Sequence, residues 1–284
     1  MTTDEFAIPE LDLPSTASIR RAVLLGVLRS GFAAAAWLVV AAIVAFFAIL
    51  GLNAVRTEHF HDVGFYGAQV GRPEYGSNGG GCCSANLGLT NSQDLNLTAR
   101  GGIGGAAPVV GHVRQSLFGT ITADLPPSEG TPIGEALGRD RPPKDGTARF
   151  LDSVPPSASV SAVVEFAAPL TRQAYIEFPG AGDEAVLLND PYGKSRPVSW
   201  SIYDLDRFTR WVGTLSADDD ETLAGLGAPP VRELRAAAHE PRVHAFVLER
   251  ATVDEARTLL ADPRIRSVNI ADVGFDPSRQ LPKN

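Results

Sequence analysis

The sequence predicts a single-pass membrane protein whose extracytoplasmic part is α+β. That part reads as a β-rich membrane-proximal module followed by a C-terminal domain of ferredoxin-like type. Three observations predict it. Residues 31–52 run GFAAAAWLVVAAIVAFFAILGL without a charge. Short alternating runs between turn-rich segments fill much of 53–156. In 157–277, two strand–helix–strand patterns bracket a more helical stretch.

The uncharged run is the firmest of the three. At 1.5 Å per residue it reaches about 33 Å, enough for a hydrocarbon layer of roughly 30 Å. A core helix would show a polar face, and this one has none. A signal peptide would have a shorter apolar stretch, and NAVRTEHFHD after Leu52 offers no A-x-A cleavage site. Arg20, Arg21 and Arg29 precede the span, while Arg56 alone follows closely and is offset by Glu58 and Asp62. The positive-inside rule then puts residues 1–30 in the cytoplasm and 53–284 outside. Trp37 suits an interfacial anchor, and the arginines suit lipid headgroups.

The remaining elements follow in chain order. Residues 1–14 are acidic and carry two prolines, so they read as extended or, on their own, disordered. Ser15 or Thr16 caps a helix, ASIRRAVLLGVLRS, that enters the span. Phe6, Ile8, Leu11 and Leu13 have no core of their own to join and read as partner-binding residues. LNLTA (95–99) and SLFGTITA (116–123) read as strands, and 124–146 as an irregular connector. In the C-terminal domain, 159–166, 185–189, 242–249 and 265–273 read as strands, with helices at 169–178 and 252–262. Thr252 and Glu255 have capping-box spacing. Segment 190–240 reads as inserted helices, and 278–284 as a tail.

Composition excludes several functions. The 284 residues carry a net charge of −8, and 44% are hydrophobic, so the chain is neither disordered nor a basic nucleic-acid binder. The tail holds four acids against three arginines, which leaves −7 for the outer part. Hydrolase motifs such as G-x-S-x-G and H-E-x-x-H do not occur, and the glycine clusters at 79–81 and 101–105 lack the Lys-Ser/Thr of a P-loop. No enzyme chemistry, cofactor or metal is expected. His59 and His61, read on a strand, would share one face, with polar interfacial residues the commoner meaning. The acids 218–221 read as a solvated approach to a helix N-terminus, and the aromatics of WSIYDLDRFTRW (200–211) as core. Cys82 and Cys83 are adjacent. They admit a strained ring, intermolecular bridges or free thiols, and are candidate redox residues.

The order of four segments carries a resemblance: SIRRAVLLGVLRSG before the span, FYGAQVGRPEYGS after it, then AVVEFAAPLTRQAYIEF and VHAFVLERATVDEARTLLADPRIRSVNIADV. In this order the chain resembles the sigma-factor-regulator family, membrane-anchored anti-sigma factors with N- and C-terminal regulator domains. The resemblance implies a sigma-factor partner at the cytoplasmic tail and an outer domain that responds to envelope conditions. One departure stands out. The tail has about 30 residues and lacks the His-x3-Cys-x2-Cys zinc motif that many anti-sigma factors carry, so sigma binding would be a small fold-on-binding contact. That leaves room for an additional membrane protein as partner. The alternative reading is an anchored extracytoplasmic binding module with no sigma-factor partner.

Overall fold

A computed structural model describes residues 16–80, 84–86, 90–116, 119–180 and 185–275. The tail residues Phe6, Ile8, Leu11 and Leu13, the pair Cys82 and Cys83, and segment 278–284 lie outside the described residues. The chain divides into two compact units, Met1–Ala54 and Val55–Asn284.

The first unit contains the beginning of α1 (Thr16–Gly71). Its Val23–Ile49 window spans 27 residues with none of its surface buried, and is long and apolar enough to cross a membrane. Leucine, phenylalanine and alanine favour the helix and leave it apolar all round.

In the second unit α1 continues where the sequence reading expected the β-rich module. The spacing of Phe60, Val63, Gly67 and Val70 explains this: all four are buried along one side of the helical stem. A Cβ on Gly71 would run into the backbone of Gly227 and Ala228, so the stem can approach that loop closely only with glycine there.

Two antiparallel sheets follow. The first pairs β1 (Tyr75–Gly80), β3 (Thr90–Ala99), β4 (Val109–Gln115) and β5 (Ile121–Asp124) in that order, with β2 (Ser84–Asn86) also on β3. Of the strand expected at 116–123, residues 121–123 belong to β5, whereas Ser116 N donates to Thr120 O and Gly119, at φ 90°, lies outside a strand. The connector expected at 124–146 contains α2 (Pro132–Gly138) and the start of α3 (Lys144–Ser153). Thr131 caps α2 by accepting from Gly134 N, and Pro132 opens it.

The second sheet contains β6 (Ser159–Thr171), β7 (Ala185–Leu187), β8 (Ser199–Ser201), β9 (Arg242–Thr252) and β10 (Ile265–Gly274), ordered β10-β6-β9-β7-β8. Both expected strand–helix–strand brackets are present: β6–α4–β7, with α4 at Arg172–Ile176, and β9–α8–β10, with α8 at Val253–Ala261. Thr171 caps α4, and Thr252 with Glu255 forms the expected capping box on α8. Between β8 and β9 lie α5 (Leu205–Thr214), α6 (Asp220–Leu226) and α7 (Val231–His239).

One face of this sheet presents Val160, Val164, Phe166 and Phe246 to the main core, which also takes in Phe60, Val63 and Leu95. Regions 53–156 and 157–277 therefore share buried contacts. The aromatic run joins that core too. Trp200 stacks on Trp211 at 5.8 Å, and Tyr66 of the stem lies 5.4 Å from Trp200, whereas Tyr203 is exposed. The opposite sheet face, with Val163, Leu187, Ala245 and Val247, is closed by Ile133 and Ala136 of α2.

Candidate functional site

The strongest concentration of charge in the second unit lies on the sheet face that α2 covers. Glu165 sits at an inward position of β6 with its side chain 3% exposed. A carboxylate so buried needs partners, and it has them. Arg141 donates from Nε at 2.6 Å and Nη2 at 2.7 Å, a bidentate fork. Ser267 Oγ donates at 2.9 Å and Arg266 Nη1 at 3.3 Å. Arg266 Nη2 also donates to Ala167 O at 2.8 Å.

A second row of polar groups continues from this fork. Arg141 reaches Asp190 at 3.4 Å and lies over the Tyr192 ring at 5.3 Å. Asp190 Oδ1 accepts from Tyr192 N at 2.9 Å. Asn269 Nδ2 donates to Tyr192 Oη at 3.1 Å and to Ala136 O of α2 at 2.6 Å. Burial above all, with the nearby Glu165 charge, pushes the Tyr192 phenol up to about 12. Burial likewise holds His244 below the usual imidazole value. The Glu165 hydrogen bond raises Arg141 further.

This arrangement suits a clamp better than a reaction. The Glu165 oxygens are occupied by four donating groups, which leaves no poised base, and Tyr192 stays protonated at neutral pH. What the cluster does chemically is hold segment 132–142 against the sheet by charge-assisted hydrogen bonds anchored on one buried carboxylate. The sequence signal was available: a lone acid inside the apolar strand SVSAVVEF must be paired when both sheet faces are covered. The partners Arg141 and Arg266 are 24 and 101 residues away in the chain, and no local pattern links them.

The stem carries a smaller polar set, and here the expected shared face of His59 and His61 is corrected. Two residues apart on a helix they diverge by about 200°. His59 Nε2 lies 2.8 Å from Asp219 Oδ1, whereas His61 Nδ1 lies 3.2 Å from Gln93 Nε2 on β3. The acidic run is also more ordered than expected. Asp219 is buried and accepts from Ser216 N at 2.7 Å, and Asp220 Oδ1 accepts from Val231 N at 2.6 Å. Among the described residues, no three of His, Cys, Asp and Glu converge as metal ligands.

Of the membrane-flanking residues, Arg20, Arg21, Arg29 and Trp37 are all exposed on α1 in the first unit, Trp37 by 73%. No protein-family model, curated protein or solved structure matches the chain.

Proposed function

We propose that the chain is a single-pass membrane regulator of the anti-sigma type, with its tail in the cytoplasm and the unit from Val55 onward outside. In this reading residues 1–30 sequester an extracytoplasmic-function sigma factor, and the outer domain senses envelope conditions. The observation that carries it is the Val23–Ile49 helix, an apolar window with none of its surface buried by protein. Exposed Phe32, Trp37, Leu38 and Phe47 are tolerated when lipid, rather than water, covers them. At 1.5 Å per residue the window reaches about 40 Å, which a bilayer accommodates by tilt. Arg20 and Arg21 before the window, with Arg29 in its second turn, set the orientation.

The interleaved strand order β10-β6-β9-β7, antiparallel throughout, supports a ferredoxin-like plan for the C-terminal domain. The acids around Phe6, Ile8, Leu11 and Leu13 suit the basic, DNA-binding face of a sigma factor and would compete with DNA for it. Binding therefore needs no enzyme chemistry.

Two measurements test this. A reporter active only in the cytoplasm should work when fused before Ser15 and fail after Asn284. Activity at the C-terminal fusion would overturn the topology. Replacing Phe6 and Leu11 together by Ala should release the partner and raise transcription from its promoters, with membrane insertion unchanged. Unaltered transcription at equal expression would favour the anchored binding module without a sigma-factor partner.

A further inference from the structure

We infer that a cleft of about 490 Å³ between α2, the end of α6 and segment 71–74 binds a small α-amino or α-hydroxy carboxylic acid. Its size falls in the range of small-molecule sites, roughly 300–1,000 Å³. The inference concerns the outer unit alone and holds whether or not a sigma factor is the cytoplasmic partner.

Two guanidinium groups line the cleft, and both are braced on the same helix end. Arg72 Nε donates to Leu226 O at 3.4 Å, and its Nη1 donates to Pro126 O. Arg196 Nη1 donates to Ala224 O at 3.0 Å and to Ala228 O at 3.4 Å. A guanidinium has five N–H donors, so each fork keeps donors beyond those that fix it. Held by backbone carbonyls, the two forks present positive charge in fixed positions, as carboxylate recognition requires.

A third polar group faces the same space. Glu74, buried to 3% exposure, accepts from Ser128 Oγ at 2.6 Å through Oε1. Burial raises its pKa, against the lowering by the Ser128 hydrogen bond and the Arg72 charge. One acceptor opposite two cations selects a ligand with a carboxylate at one end and an ammonium or hydroxyl close by.

Several glycines belong to the same lining. Gly71 and Gly134 also line it, and at both a Cβ would collide with neighbouring atoms, so packing explains them. At Gly138 and Gly225 a Cβ would meet nothing within 4 Å. Gly225 lies inside α6, where glycine is unfavourable relative to alanine. Both are exposed positions of the cleft lining, so a side chain placed at either enters open space.

The test is isothermal titration of the full chain in detergent with L-serine, glycolate, acetate and inorganic phosphate. L-serine and glycolate should bind, and acetate, which lacks the donor, should bind at least about tenfold more weakly. Gly225→Leu, which adds a bulky side chain to the cleft lining, should abolish the binding heat while keeping or raising the thermal midpoint. Arg196→Gln should weaken binding by about tenfold and serves as the second variant should Gly225→Leu misfold. Absent binding of both acids, unchanged affinity in a folded Gly225→Leu, or phosphate binding as tightly as glycolate would each overturn the assignment.

Discussion

The two sheets of the second unit solve the same problem with different inner faces. In the second sheet, β6 buries eight consecutive residues, Ser159–Phe166, because helices cover both faces. Five of those eight are apolar, and the one charge among them, Glu165, is matched by two arginines. In the first sheet, β3 alternates cleanly between buried and exposed, yet two of its four buried positions are amides, Asn91 and Gln93. Asn91 is satisfied sideways and by the stem, and Gln93 meets His61 of the stem through Nε2 alone. Asn91 Nδ2 donates to Gln115 Oε1 at 2.9 Å, and Thr57 Oγ1 donates to Asn91 Oδ1 at 3.3 Å. The contrast shows that regular pleat geometry does not require apolar periodicity, provided that a polar inner row has partners.

If the second sheet gains its stability from apolar packing, the largest loss should come from its centre. Phe246 on β9 is fully buried among Phe166, Tyr175 and Phe178, with ring centroids 5.6–6.2 Å away. Phe246→Ala should cost about 3–5 kcal/mol, the usual range for a large aromatic cavity. Denaturant unfolding of the full chain in detergent, followed by tryptophan fluorescence, measures it. A loss below about 1 kcal/mol would mean that the sheet can collapse around the hole.

An intermediate effect is expected where charge replaces packing. Glu165→Gln keeps the shape but removes the ion pairs with Arg141 and Arg266. The arginine side chains remain 36% and 47% exposed, so water offsets part of the loss. About 1.5 kcal/mol is expected, the low end for hydrogen bonds to a charged group. The same variant should loosen segment 132–142, read as faster amide exchange in α2. Unchanged exchange would remove the clamp role.

The smallest effect belongs to the amide row. Gln93 Oε1 is buried without a hydrogen-bond partner. Gln93→Leu gives up the contact with His61 and removes that unsatisfied atom, so stability should change by no more than about 0.5 kcal/mol in either direction. A loss above about 2 kcal/mol would show that the first sheet depends on its amides as the second depends on Phe246.

The sequence by itself determined the apolar helix near the N-terminus, the two strand–helix–strand brackets and their caps, and the helical insertion. Each rests on a local signal: an uncharged run, a short apolar strand, or Thr252 three residues before Glu255. Tertiary structure decided the rest. The stem at 56–71 is helical because Phe60, Val63 and Val70 find a core on distant elements, including Leu223 and Leu226 of α6. Strand β3 begins before LNLTA because Asn91 pairs with Gln115 across the sheet. Segment 132–142 is ordered because Arg141 meets a carboxylate on β6 and α2 covers a sheet face that would otherwise meet water. In each case the deciding partner lies more than twenty residues away in the chain. Local propensity is too weak to report a contact whose stabilisation appears only after the chain has closed on itself.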